Sequence, residues 1–153
     1  MKELNDLLSQ IENAIPYWEK QNTTISQATV GWQLDHSLLV INGIITQLAQ
    51  SNPNHYQWRL NWKRTYIQLR NSIPRGKAKA PKQVRPAEFN TMEDLKNKLS
   101  KAQQNIKLLN SLPKNSYFTH PYFGDLNLKA SVWFLQLHTN HHLKIVNDII
   151  NKG

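Results

Sequence analysis

Between Val30 and Leu48 the sequence places ten large apolar residues, Val30, Trp32, Leu34, Leu38, Leu39, Val40, Ile41, Ile44, Ile45 and Leu48, with no proline among them. They fall on more than one face of a helix, so the segment is expected to be buried round much of its circumference and to need other helices on several sides. Thr29 precedes the run and Ser51-Asn52-Pro53-Asn54 stops it, which sets the expected span at 29–50. Gly43 sits inside it at about 1 kcal/mol less helix propensity than alanine. Close helix approach, or access to the interior, would explain that choice.

The surrounding helices are legible elsewhere. Leu4, Leu7, Leu8, Ile11, Ile15 and Trp18 recur at helical spacing over 2–20, an amphipathic helix that Pro16 kinks or nearly ends. Thr91-Met92-Glu93-Asp94 reads as an N-cap followed by acids that suit the helix dipole. It opens a helix to about Asn110 with the buried stripe Leu95, Leu99, Ala102, Ile106 and Leu109. The last helix, from about Asn127 to Asn151, has the stripe Leu128, Val132, Leu135, Thr139, His142, Val146 and Ile149. A shorter helix is expected over 55–72, and residues 73–89, interrupted by Pro74, Pro81, Pro86 and Gly76, are expected to be extended. Nothing alternates long enough to suggest a sheet, and residues 114–125 read as a loop. The expected fold is all-α: a four-helix bundle in one domain over 1–153, with a long basic crossover between the second and third bundle helices.

A chain of 153 residues is long enough for one core. It has no cysteine, so any metal must be held by nitrogen or oxygen. The opening stretch MKELNDLLSQIENAI is amphipathic and carries acids, unlike a secretory leader, and no apolar run approaches the ~20 residues of a membrane span. A cytoplasmic location and no membrane partner are therefore expected. The net charge of +9 is localised: Arg59 to Lys101 holds twelve lysines and arginines against three acids, while the remainder carries seven of each sign. Such a segment can contact nucleic acid, but no nucleic-acid fold signature accompanies it, so a solvated crossover is expected. Steering of an anionic substrate is a further use.

Three of the six histidines crowd into Leu137-His138-Thr139-Asn140-His141-His142-Leu143. On a helix His138 and His142 stand one above the other, with His141 more oblique. His36 lies on the buried second helix in line with Trp32, Leu39, Val40 and Gly43. A lone buried histidine usually hydrogen-bonds a neighbour; several together are costly unless each finds a partner, and a shared divalent cation satisfies all of them. Neutral imidazoles suit Zn²⁺, Ni²⁺ or Fe²⁺, and three protein ligands leave positions for water or substrate. The chain has no His-Glu-x-x-His, no Glu-x-x-His of the di-iron bundles and no Gly-x-Ser-x-Gly. His120, before Pro121, has two readings: a proton shuttle at the mouth of the site, or a loop residue bonding the backbone. His55 is expected on the surface. Trp58, Trp62, Tyr117, Phe118, Tyr122 and Phe123 either roof a substrate pocket or, more commonly at such spacing, belong to the core.

Gly31-Trp32-Gln33-Leu34-Asp35-His36 on the second helix and His138-x-x-His141-His142 on the last resemble the DinB/YfiT-like superfamily of metalloenzymes. RGKAKAPKQVRP (75–86) and HPYFGDLNL (120–128) resemble one branch of it, and the likeness covers most of the chain from Val30 onward. The resemblance implies a bundle in which His36, His138 and His142 hold a divalent transition metal, with His141 outside the ligand set. Relatives include thiol transferases acting with bacillithiol, mycothiol or glutathione and a mycothiol-dependent isomerase, and members often dimerise. What this implies is a metal-dependent transferase or hydrolase acting on a small molecule, with an anionic compound or low-molecular-weight thiol as candidates and a homodimer as a further expectation. The alternative is a non-enzymatic binding module that uses the basic segment 59–101 for nucleic acid or another polyanion.

Overall fold

The computed structural model describes residues 2–75, 84–86 and 91–152. In chain order these form α1 (Lys2–Ala14), a 3-10 turn at Ile15–Tyr17, α2 (Val30–Gln50), a 3-10 turn at Pro53–His55 and α3 (Trp62–Arg70). After these come α4 (Met92–Leu108), a hairpin of β1 (Tyr117–His120) and β2 (Gly124–Asn127), and α5 (Leu128–Asn151). The chain is mostly helical, as its periodicity requires. Most of the coil expected over 73–89 lies outside the described residues.

Helices α2, α4 and α5 each start where a side chain can satisfy a free amide. Thr29 Oγ1 accepts from Trp32 N at the head of α2, and Asn127 Oδ1 accepts from Ala130 N at the head of α5. Thr91 and Asp94 form a reciprocal capping box at the head of α4. The helix α1 stops at Ala14 because Pro16 has no amide to donate to the preceding turn, and the chain tightens into the 3-10 turn.

The core lies where α1 and α2 pack against α4 and α5. Leu4, Leu8 and Ile11 of α1 meet Leu34, Leu38, Ile41, Ile45 and Leu48 of α2, Leu95 and Ile106 of α4, and Leu135 and Val146 of α5 in one buried cluster. The expected stripe of α4 is buried at all five positions. Each buried leucine or isoleucine contributes about 2 kcal/mol through its removal from water. The α2 helix is buried almost all round, and its enclosed face carries polar Gln33, Asp35 and His36 as well as hydrocarbon.

Three expectations are corrected. The third helix begins at Trp62, not near His55, because Asn61 caps it by accepting from Arg64 N. Its inward side chain is Arg64, which donates to the carbonyls of Arg59 and Asp125, so Trp58 and Trp62 are not core and stand 66% and 75% exposed. Residues 114–125 are not all loop: β1 and β2 pair antiparallel, Phe118 opposite Leu126 and His120 opposite Gly124. Each strand sends only one large apolar side chain inward, Phe118 and Leu126, too few to register as alternation. Gly124, at φ +68°, takes the left-handed conformation the tight turn needs.

The third correction concerns glycine. A Cβ added to Gly43 would meet nothing within 4 Å, so no helix approaches closely there. The close approach is at Gly31, whose amide donates to Trp18 O at 2.7 Å and whose added Cβ would lie 2.9 Å from that oxygen. Gly31→Ala is therefore expected to destabilise the protein by about 1–3 kcal/mol through a forced backbone shift. Gly43→Ala is expected to stabilise it by about 0.5–1 kcal/mol through helix propensity. Urea midpoints of the two variants check both signs.

Candidate metal centre

The buried arc of α2 and the middle of α5 face each other, and this brings His36 against His138 and His142. Ring centroids are 5.0 Å apart for His36 and His138, 4.7 Å for His36 and His142, and 4.5 Å for His138 and His142. One ligand nitrogen from each lies within 4.8 Å of the other two, a group that could hold a metal ion. His36 is 4% exposed, while His138 and His142 are only partly buried, so the cluster sits at the rim of the core rather than sealed within it.

Hydrogen bonds fix which nitrogen faces the centre. His36 Nδ1 lies 2.6 Å from the carbonyl of Val84, and His142 Nδ1 lies 2.6 Å from Gln33 Oε1. Both partners are acceptors, so both rings carry their proton on Nδ1 and turn the Nε2 lone pair inward. Gln33 is itself held, its Nε2 donating to Ser26 Oγ at 3.2 Å. His138 is positioned by packing and by the contact of its Nε2 with His142 Nε2. Its ring lies 5.4 Å from that of Phe134, and its Nδ1 is shut off from solvent with no hydrogen-bond partner.

The donor set fits a divalent ion. His138 Nε2 and His142 Nε2 are 3.3 Å apart, and bonds of about 2.0–2.1 Å at the tetrahedral angle place ligand nitrogens about 3.3–3.4 Å apart. Burial pushes His138 and His142 well below the ordinary imidazole value, and the neighbouring histidines push the same way. His36 is also lowered by burial, partly offset by the Val84 carbonyl and the charge of Asp35. All three are therefore neutral near pH 7, the state in which imidazole binds metal.

His141 stands outside this group, bonded to the backbone of Ile73 and lowered by burial and then by Arg75. His120 takes the backbone-bonding role: its Nδ1 accepts from the amides of Tyr122 and Phe123 at 3.1 and 3.2 Å, and its ring stacks on Phe123 at 4.3 Å. Phe134 lies between it and His138, 4.7 Å from His120. His55 is exposed. Sequence reasoning missed Gln33 and the Val84 carbonyl. A glutamine three residues before His36 on a helix buried almost all round was the available signal for Gln33. Nothing in the sequence points to a main-chain oxygen 48 residues away from His36.

Two predictions follow from these contacts. Gln33→Leu removes the acceptor that orients His142 and is expected to weaken metal binding about 10–100-fold, readable by calorimetry. In the metal-free protein, His36, His120, His138, His141 and His142 all titrate below the ordinary 6.5, His120 at about 4. The unfolded chain takes up these protons first, so stability is full above about pH 6.5 and falls as pH drops below it. Urea midpoints in chelator at about pH 7.5 and about pH 5.5 are expected to show the lower value in acid.

The chain is a mostly helical protein in which three histidines from two of its helices, His36, His138 and His142, could hold a metal ion. A family model described as the DinB superfamily matches residues 2–146, and the chain belongs to that superfamily. No curated protein and no solved structure matches it.

Proposed function

We propose that the chain is a metal-dependent enzyme of transferase or hydrolase type that holds one Zn²⁺, Ni²⁺ or Fe²⁺ ion on His36, His138 and His142. The observation that carries this reading is the convergence of three neutral imidazoles, two of them with Nδ1 occupied by acceptors so that Nε2 points to a common centre. An ion held there supplies Lewis acidity, lowering the pKa of a water or thiol that reaches it.

This chain's own residues do the rest. Gln33 and Val84 keep the imidazoles in the ligand tautomer, and Trp32 stacks on His36 at 5.2 Å. With no cysteine in the chain, a thiolate would come with the substrate. Lys144 places positive charge beside His141, which favours an anionic small molecule. Metal analysis of protein purified without a histidine tag is the direct test. About one equivalent per chain is expected; none, with no uptake of added Zn²⁺, Ni²⁺ or Fe²⁺, would sink the proposal.

The polyanion reading draws less support. Arg64 is buried and bonded to main-chain carbonyls, Arg75 pairs with Asp148 at 2.8 Å, and Lys98 pairs with Asp35 at 2.6 Å. These basic side chains of the 59–101 segment are engaged within the fold.

A further inference from the structure

Helix α3 is turned inside out. Arg64 faces inward at 6% exposure, while Trp62, Tyr66 and Leu69, at i, i+4 and i+7, form one stripe at 75%, 56% and 84% exposure. The segment before the helix adds Trp58 and Leu60 at 66% and 56%. Of the eight large apolar side chains exposed among the described residues, five thus lie between positions 58 and 69. Single exposed apolar side chains are ordinary; a run of this kind marks a contact surface.

Its charge narrows the partner. No acid occurs from Trp58 to Arg75. Arg59, Lys63 and Arg70 are exposed, and among the described residues none of them forms an ion pair. Arg59 donates to Gln57, and Arg70 to Tyr66 and Ser72, all neutral groups. A second copy docked through the same face about a two-fold axis would set these cations against one another. Single-stranded nucleic acid would satisfy the charge and stack on the aromatic rings. Leu60 and Leu69, the latter the most exposed of the five, offer no ring to a base.

An anionic phospholipid surface satisfies both components, with hydrocarbon for the tryptophan, tyrosine and leucine tips and headgroups for arginine and lysine. We propose that α3 and the segment from Trp58 form an interfacial docking face for an anionic bilayer. No helix among the described residues is long and apolar enough to cross a membrane, but lying in the interface needs only one apolar stripe with flanking cations.

The test is co-sedimentation of the full chain with vesicles of about one-third phosphatidylglycerol in phosphatidylcholine, and with phosphatidylcholine alone. Binding to the anionic vesicles with a blue shift of tryptophan emission is expected. It should weaken about tenfold on neutral vesicles, or when salt rises from about 0.1 M to about 0.5 M. Trp62→Ser/Leu69→Ser is expected to lose about tenfold in partitioning, and Lys63→Gln/Arg70→Gln to lose the preference for anionic lipid. These positions are exposed, and unchanged helix content by circular dichroism controls for folding. Failure of the wild type to bind, or equal binding to both vesicle types, overturns the proposal. A dimer in light scattering that Trp62→Ser/Leu69→Ser dissociates assigns the face to a second copy and overturns it. Binding to a single-stranded oligonucleotide in preference to anionic vesicles overturns it as well.

Discussion

Alanine at His36, His138 or His142 is expected to lower affinity for Zn²⁺ by at least about 100-fold, beyond what loss of a supporting hydrogen bond costs. Each substitution removes one of three nitrogens that meet within 4.8 Å, and no other His, Asp or Glu among the described residues joins that group. His141→Ala is the internal control. Its ring is 5.1 Å from that of His142, but it bonds to the Ile73 backbone, so its loss should change affinity only a few-fold. Calorimetry reads the affinities, and thermal shift supplies an independent readout. Ion at 100 times Kd stabilises a site by about 2.7 kcal/mol, so wild type and His141→Ala should gain melting temperature on adding Zn²⁺ while the three ligand variants should not. If His141→Ala loses metal as fully as His142→Ala, the ligand set is wrong even though a site exists.

The parts of this site that were legible in the sequence are those that follow from helical period. His138 and His142 share a face because one turn separates them, and His36 points inward because the helix around it is apolar on nearly every side. Thr91 and Asp94 marked the start of α4 for an equally local reason, a side chain within reach of an amide three residues on. What was not legible depends on tertiary placement. Whether Gln33 meets His142 rests on how α2 is rotated against α5, and the Val84 carbonyl arrives from the crossover. The α3 segment was misjudged because composition suggests that tryptophans are buried; only the contacts of Arg64 with Arg59 and Asp125 decide which side of that helix faces in. The hairpin escaped because strands of four residues with one buried apolar side chain each carry little periodic signal.

The largest effect expected away from the histidines comes from Lys98→Met. Asp35 precedes His36 on α2, and its side chain is wholly buried. Its Oδ1 accepts from Lys98 Nζ at 2.6 Å, and its Oδ2 has no hydrogen-bond partner. Lys98, on α4, keeps 30% of its side chain exposed and reaches inward to make the pair. The two partners are therefore not equivalent. Without Asp35 the lysine can swing into water at little cost; without Lys98 the carboxylate stays in the core with no cation. Removing one partner of a buried pair costs about 3–5 kcal/mol, and Lys98→Met should fall in that range. Asp35→Asn should cost less, since a neutral amide is left where the charge was. The double variant should recover at least about half of the Lys98→Met loss, giving a favourable coupling in the cycle. Because the pair ties α2 to α4, it also fixes the rotation of α2 that aims Gln33 and His36 at α5, so Lys98→Met should weaken metal binding from outside the cluster. Urea midpoints in chelator give the stability terms, and calorimetry the metal term. A loss below about 0.5 kcal/mol would mean that Asp35 and Lys98 behave as a solvent-exposed pair, and that packing alone sets how α2 faces the site.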